Sequence, residues 1–329
     1  MLRNRRIAIV IPAHDEERHV AGVIEAIPEF VDLVVVVDDG SRDGTADRVQ
    51  RLHHPRLALL QHSENRGVGA AIVTGYRFAL EHGADVVGVM GGDGQMEAAY
   101  LPTLLSPVIE GSCDFAKGNR FFSRNSWRSM PLSRVIGNVV LSLLTKPASG
   151  YWHIFDAQNG YTAISATMIR RLPLHRLETG YQFENVLLVH LGAAGAVVTD
   201  VPIAAVYGEE ESGIKVWRDV PAILWALLTG FLMRIRQRYL RQRVSPLGAL
   251  LISGALLVVG GIGTALWAWL REEPGWVTRV AAGELGLGGV LVGLFALMEI
   301  LTSRRIRLRR PEHQGKEGEV QGDGSDVRG

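Results

Sequence analysis

From residue 7 to about 118, short apolar runs rich in β-branched residues alternate with segments whose apolar residues recur at helical spacing. Ile7 to Ile11, Leu33 to Val37, Leu57 to Leu60, Val86 to Met90 and Phe115 to Lys117 are the predicted strands. This rhythm predicts βαβ units. Val34-Val35-Val36-Val37 shows no polar alternation, which suits a parallel sheet covered on both faces and not a sheet with one wet face. The chain is therefore expected to be α/β, Rossmann-like, with a mostly parallel sheet and helices on both sides. In such sheets ligands bind at the carboxyl ends of the strands, so the polar stretches at 12–17, 38–45, 62–69 and 91–97 should face one cleft. Between about 120 and 205 the pattern is less regular, with helices expected near 132–145 and 182–193 and a strand from Ala196 to Val201.

The pattern then changes. Leu247 to Leu270 carries no charged residue and would span roughly 36 Å as a helix, and Val280 to Leu301 roughly 33 Å, against a hydrocarbon core of about 30 Å. Both are predicted membrane spans. Arg234, Arg236, Arg238, Arg241 and Arg243 precede the first, and Arg304, Arg305, Arg307, Arg309 and Arg310 follow the second. The connecting loop has Arg271 and Arg279 beside Glu272 and Glu273. The positive-inside rule then puts both termini and the catalytic domain in the cytoplasm, with the short loop outside. That makes the chain an integral membrane protein, of the plasma membrane if the source is prokaryotic.

Pro221 to Met233 is apolar but too short to cross, with Trp217 and Trp225 beside the arginine cluster, and is expected to lie on the inner leaflet. Glu284 and Glu299 fall near the ends of the second span and are expected to snorkel to the interface. Gly289 and Gly293, with Gly254, Gly260 and Gly263 in the first span, suggest close helix packing and a possible homo-oligomer. The expected divisions are a catalytic domain at 1–215, an interfacial helix and basic linker at 216–245, a transmembrane hairpin at 246–303, and a tail at 304–329, basic at first, then polar and disordered.

Composition narrows the function by exclusion. The 35 basic and 34 acidic residues nearly cancel, so no global field favours nucleic acid. One cysteine, Cys113, excludes an internal disulfide framework and any multi-cysteine metal site. The basic start from Met1 to Arg6 leads into a stretch too short for a signal-peptide core, so the amino end is expected to stay cytoplasmic.

Chemistry concentrates in the loops after the strands. Asp38-Asp39-Gly40-Ser41 follows the valine strand and places two carboxylates where they could accept hydrogen bonds from a base or ribose. Asp43 or Thr45 could equally serve as the cap of the next helix, and both readings can hold together. Asn65-Arg66-Gly67-Val68-Gly69-Ala70-Ala71 has the small residues that let a backbone approach phosphate at a helix start. The first strand ends in Pro12-Ala13-His14-Asp15-Glu16 instead of the glycine fingerprint of a nicotinamide domain, which argues against a dinucleotide-dependent oxidoreductase.

The series Pro12-Ala13-His14-Asp15-Glu16-Glu17, Asp38-Asp39-Gly40-Ser41, Asn65 to Ala71, Asp93-Gly94-Gln95 and Gly118-Asn119-Arg120-Phe121 resembles, in order and spacing, the family-2 inverting glycosyltransferases. The branch it looks most like is the polyprenyl-phosphate sugar transferases related to dolichol-phosphate mannosyltransferase. The resemblance covers roughly residues 6 to 215 and implies an A-type glycosyltransferase fold. It implies that Pro12, Ala13, Glu16 and Asp39, with Asp15, Asp38 and Gly69 nearby, hold the nucleotide sugar, UDP- or GDP-linked. Asp93 and Gln95 would hold Mg²⁺ or Mn²⁺ on the diphosphate. Asp156, Gln158, Asn159, Gly160 and Tyr161 match the acceptor-side loop. Arg120, Arg134 and Lys215 match positions that contact phosphate, and with Asp93 they form the expected catalytic set.

Two positions depart from the family pattern. His14-Asp15 stands where Tyr-Asn is common. Gly91-Gly92-Asp93 has lost the first carboxylate of the Asp-X-Asp metal motif; His14 or Glu97 are possible compensating groups. A hard cation takes one or two carboxylates plus phosphate oxygens and waters, so Asp93 could suffice.

The reaction implied is attack by a lipid-phosphate oxygen on the anomeric carbon while a nucleoside diphosphate leaves from the opposite face. That nucleophile is already anionic, so the burden falls on positioning and charge stabilisation and not on a strong base. The alternatives are transfer to another lipid or a growing glycan, which would need no lipid phosphate, and a catalytically weak nucleotide-sugar-binding scaffold, suggested by Gly91.

Overall fold

The computed structural model describes residues 4–122, 132–177, 183–204, 216–240, 245–272 and 275–308. Lys215 and the tail beyond residue 308 lie outside them. A seven-stranded sheet carries β1 (Ile7–Ala13), β2 (Leu33–Asp38), β3 (Leu57–Gln61), β4 (Val86–Val89), β5 (Phe115–Asn119), β6 (Thr162–Ser165) and β7 (Val198–Pro202), in the spatial order β3-β2-β1-β4-β6-β5-β7. β1 pairs parallel with β2 and β4, β2 with β3, and β5 with β7. β6 is antiparallel to both β4 and β5. It is the strand that periodicity did not mark, because four residues after an irregular loop are too few to display a period.

The valine strand behaves as its pattern requires, with Val34 to Val37 fully buried. Successive side chains point to opposite faces. Val10, Val35 and Val37 join Tyr76 and Ala79 of α3 (Val68–Glu81) on one side. Ile9, Ile11, Val34 and Val36 join Val20 and Ile24 of α1 (Val20–Glu25) and Leu101 and Leu105 of α4 (Leu101–Ile109) on the other. α2 (Thr45–Gln50) connects β2 to β3. The chain order reverses between β1 and β4, so the loops after these two strands diverge and leave a crevice at their carboxyl ends.

The second half adds α5 (Leu132–Ser149), α6 (Ala166–Arg171) and α7 (Phe183–Ala194), and then α8 (Val216–Ile235), which contains the stretch expected to lie on the leaflet. Ile223 and Leu227 of α8 pack against Leu141 and Ala148 of α5 and Val189 of α7. Leu224, Trp225, Leu228 and Leu232 of α8 are exposed, as are Val140, Leu143 and Leu144 of α5. The two helices thus share an apolar face that the protein itself does not cover.

α9 (Pro246–Arg271) and α10 (Gly275–Leu308) form the expected hairpin. By length and composition α9 and residues Gly275–Thr302 of α10 are long and apolar enough to cross a membrane. Only 11 % and 17 % of their apolar windows are buried, unlike core helices of a soluble domain. They pack through Gly254, Gly261 and Gly288: a Cβ on Gly288 would lie 2.8 Å from the Gly254 carbonyl oxygen, and one on Gly261 would lie 2.8 Å from Leu285 Cγ. Of the glycines expected to pack, Gly254 does so, whereas Gly260, Gly263, Gly289 and Gly293 face open space.

One expectation about charge is corrected. Glu299 does not snorkel: it is 4 % exposed and is bonded by Arg234, and Arg234 is itself fully buried instead of being one of the exposed flanking arginines. Glu284 accepts a hydrogen bond from Thr264 Oγ1 of the facing helix at 3.0 Å. A count of charges near a span records neither burial nor a partner far away in sequence.

Candidate active site

A cleft of about 580 Å³ opens at the carboxyl ends of β1, β2 and β4. Pro12, Ala13, His14 and Glu16 line it from the β1 loop, Asp39 from β2, Asn65, Gly67 and Val68 from the start of α3, and Gly91, Gly92, Asp93 and Gln95 from the β4 loop. The four loops expected to converge do so. The opposite wall is Arg120, Asn138, Gln158, Asn159, Gly160 and Glu184.

Asp39 is held firmly. Its Oδ1 accepts from the Arg66 amide at 3.0 Å and lies 2.6 Å from His62 Nδ1, and its Oδ2 accepts from the Gly67 amide at 2.7 Å. His62 Nε2 in turn lies 3.0 Å from Thr74 Oγ1. The carboxylate therefore fixes the glycine loop at the head of α3, where Gly67 sits at φ +92° in a region open to glycine at little cost. Gly69 is buried in the first turn of α3, behind the cleft wall. Asp38 closes the turn below, accepting from the Ser41 amide at 3.1 Å and from Gln61 Nε2 at 3.4 Å.

Asp15 also works on the loop: its Oδ1 accepts from the Arg42 amide at 2.8 Å, and its own amide donates to Ser41 Oγ at 3.0 Å. Asp38 and Asp15 thus hold the loops that shape the cleft, whereas Asp39 lines it. Asp43 Oδ1 accepts from the Thr45 amide at 3.0 Å, and Thr45 Oγ1 accepts from the Glu16 amide at 2.8 Å. The N-cap of α2 is Gly44, with no side-chain cap bond, so neither residue considered as a cap takes that position.

Asp93 accepts from the Gln95 amide through Oδ1 at 3.0 Å, in a tight loop that passes through Gly94 at φ +74°. A Cβ built on Gly91 would lie 3.1 Å from Asp93 Oδ1, so a side chain at 91 would stand beside that carboxylate. Among the described residues no three His, Cys, Asp or Glu side chains are grouped as a metal set. The oxygen donors present are few, and a cation here would lean on substrate phosphate and water.

On the opposite wall Arg120 is clamped by Asp156, Nε to Oδ2 at 2.7 Å and Nη2 to Oδ1 at 2.8 Å, and the Arg120 amide donates to the same carboxylate at 3.1 Å. Asp156 is fully buried, so the fork points a fixed cation at the cleft. Gln158 Nε2 donates to Asn185 Oδ1 at 2.8 Å. Tyr161 is buried, with its hydroxyl donating to the Glu97 carbonyl at 2.9 Å; it braces the β4 loop from outside the cleft. Arg134 lies on α5 one turn before Asn138, with its side chain outside the described residues, as is Lys215.

Residue patterns missed three charged groups here. Lys117 is buried in β5 and donates to the Asn159 carbonyl; burial pulls it down to about 8, opposed by the nearby charges of Asp156, Glu184 and Asp200. Glu184, in the first turn of α7, is raised by burial, with Lys117 and Arg120 acting against the shift. Asp200 is pushed up to about 6, chiefly by burial, although Asn119 Nδ2 at 2.6 Å and the Phe155 amide at 3.0 Å donate to it. The available signal was Lys117 itself, a lysine within a strand otherwise destined for the core.

Asp200 gives a pH prediction. Its folded value lies above its unfolded one, so its contribution to stability is full below about 4 and is lost as pH rises through about 6. Wild type should therefore lose stability relative to Asp200→Asn between pH 4 and 6, by up to roughly 3 kcal/mol, read as a falling thermal midpoint. A pH-independent difference in midpoint would contradict this.

Residues 8–173 match the model of "Glycosyl transferase family 2". The UDP-N-acetylglucosamine–dolichyl-phosphate N-acetylglucosaminyltransferase of Methanococcus voltae is 27 % identical over 223 residues, covering 63 % of this chain and 88 % of the relative. The undecaprenyl-phosphate mannosyltransferase of Micrococcus luteus is 30 % identical over 211 residues, covering 62 % and 85 %. The polyprenol monophosphomannose synthase of Mycolicibacterium smegmatis is 29 % identical over 225 residues, covering 64 % and 80 %. Among solved structures, glucosyl-3-phosphoglycerate synthase of Mycobacterium tuberculosis, in complex with Mn²⁺, UDP-glucose and phosphoglyceric acid, superposes with a TM-score of 0.54 at 20 % identity, covering 69 % of this chain and 80 % of the other. That likeness concerns the fold, the A-type arrangement expected from the motif series. With the family model spanning more than half of the chain, and with relatives that transfer sugars to polyprenyl phosphates, this protein belongs to glycosyl transferase family 2.

Proposed function

We propose that the protein transfers a monosaccharide from a nucleotide sugar to a polyprenyl phosphate at the membrane surface, with inversion at the anomeric carbon. The observation that carries this reading is the two-sided cleft, with Asp39 and Asp93 on one wall and the Asp156-clamped Arg120 on the other, beside helices whose outer faces are apolar and exposed. The nucleoside would rest against Pro12, Ala13 and Asp39, and its diphosphate near Gly67 and the head of α3, where backbone amides and the helix dipole favour anions.

Asp93 and Gln95 would hold a divalent cation, Mg²⁺ or Mn²⁺, whose chemistry is to neutralise charge on the departing diphosphate. The named M. tuberculosis neighbour was crystallised with such cations, which supports the assignment.

An acceptor phosphate is anionic at neutral pH, so no side chain need remove a proton from it. Arg120 is placed to orient it, and Arg134 and Lys215 are candidates to do the same. The phosphate oxygen attacks the anomeric carbon as the bond to the nucleoside diphosphate breaks, which inverts the centre. The exposed apolar residues of α5 and α8 would sink into the leaflet while Arg236 and Arg238, both exposed, meet anionic headgroups, consistent with a cytoplasmic catalytic domain.

Purified protein in lipid vesicles should release nucleoside diphosphate only when nucleotide sugar, Mg²⁺ or Mn²⁺ and polyprenyl phosphate are all present. Release without the lipid phosphate would overturn the acceptor assignment. A thermal-shift screen of UDP- and GDP-sugars identifies the donor. Gly91→Asp, which places a second carboxylate beside Asp93, should tighten the metal requirement by about tenfold; an unchanged metal titration would show that position 91 takes no part.

A further inference from the structure

Arg234 and Glu299 form an ion pair, Nη1 to Oε1 at 2.5 Å, between α8 and α10. The same guanidinium donates from Nε to the Ala148 carbonyl at 2.8 Å and from Nη2 to the Pro147 carbonyl at 2.6 Å. Those carbonyls belong to the last turn of α5, where a helix has no backbone partners for them and its dipole favours a cation. Tyr239 donates its hydroxyl to the same Glu299 oxygen at 2.9 Å. One buried side chain therefore ties the catalytic domain to the second apolar helix.

The backbone is built for this contact. α8 passes at Arg236–Leu240 into a π-helical turn. At 3.6 residues per turn, positions five apart lie about 140° round a helix, whereas a π turn, bonded i to i+5, brings them onto one side. Arg234 and Tyr239 are five apart and reach one carboxylate oxygen. Gly150, at φ +80°, leaves the space: a Cβ there would lie 2.8 Å from Arg234 Nη1. Hydrophobic replacement of a buried ion pair is often neutral or stabilising, so net stability does not by itself explain an arginine here. Register does.

The same helix, α5, also meets the site. Asn138 lines the cleft, the Ala157 amide donates to Ser142 Oγ at 3.1 Å, and Thr145 Oγ1 donates to Asn185 Oδ1 at 2.9 Å, the atom that also holds Gln158. We propose that Arg234, with Glu299 and Tyr239, is a positioning residue that sets the height and tilt of the cleft over the membrane through α5, so that a bilayer-borne acceptor phosphate reaches the sugar. This rests on the lipid-phosphate reading above.

The test uses full-length Arg234→Met and the milder Tyr239→Phe in vesicles, each with a long-chain polyprenyl phosphate in the bilayer and with a short water-soluble prenyl phosphate. Arg234→Met should raise KM for the bilayer acceptor by about tenfold or more, with Tyr239→Phe in between, while kcat/KM for the soluble acceptor holds. Equal losses with both acceptors, or no loss with either, would overturn the proposal.

A second readout needs no turnover: the spin-label distance between Gln50→Cys and Leu270→Cys, both exposed positions. Cys113 does not compete for label, being buried with its thiol pushed up to about 12. The distance distribution should be narrow in the parent and broad with Arg234→Met; identical distributions would refute the clamp. If the parent turns over neither acceptor, the lipid-phosphate reading fails, and the distances still decide the clamp.

Discussion

Asp93→Ala is expected to lower transfer by at least about 10³-fold while leaving membrane insertion and nucleoside binding intact. The magnitude follows from the role: charge stabilisation of a leaving group is commonly the largest single contribution to a rate, worth about 10²–10³ for one donor, and here a whole cation would go with its carboxylate. The loss should be greatest here because Gly91 supplies no second carboxylate, so the described β4 loop offers Asp93 as its acid at this point. The nucleoside contacts proposed for Pro12, Ala13 and Asp39 do not use the Asp93 carboxylate, so a thermal shift by free nucleotide in the absence of metal should survive. Turnover near that of the wild type would remove Asp93 from the metal assignment.

The second large effect concerns the Arg120–Asp156 pair. Arg120→Lys keeps the charge and loses the fork, since an ammonium cannot make the two parallel bonds that Asp156 now accepts. Transfer is expected to fall about 10²-fold with the change in kcat and little change in thermal midpoint. Asp156→Ala should behave differently. It leaves a guanidinium facing a fully buried hole, which costs about 3–5 kcal/mol, and both the midpoint and kcat should drop. Should the two variants lose activity alike without any difference in stability, Asp156 would be acting on substrate directly and not through Arg120.

Much of this architecture could be read from the sequence because its signals are local. Four successive valines require a strand buried on both faces, and a run from Leu247 to Leu270 that is mostly apolar and carries no charge requires a long helix in an apolar setting. The convergence of the loops after β1, β2, β3 and β4 follows from the parallel arrangement, since it puts every carboxyl end on one edge. Within those loops, sequence could not separate residues that line the cleft from those that hold its shape. Asp38 and Asp39 are adjacent and chemically identical, yet one closes a turn and the other fixes the glycine loop at the cleft wall.

What stayed hidden depends on distant partners. β6 is a strand because β4 and β5 lie on either side of it. Lys117, Glu184 and Asp200 acquire their shifted ionisation from burial near one another, across stretches of chain that no motif links. Arg234 reads as one more arginine flanking a span, and Glu299 as an acid at a helix end; only the folded chain makes them partners.

The most direct test of the central claim follows the sugar itself. Vesicle-embedded protein would be given nucleotide sugar labelled in the sugar, Mg²⁺ and polyprenyl phosphate, and the label would be partitioned between water and organic solvent. The expected result is label in the organic phase as a phosphodiester-linked monosaccharide whose anomeric configuration is opposite to that of the donor, and none there with Asp93→Ala. Label that stays in the aqueous phase as free sugar or as a lengthened soluble glycan, with the lipid phosphate unmodified, would contradict it.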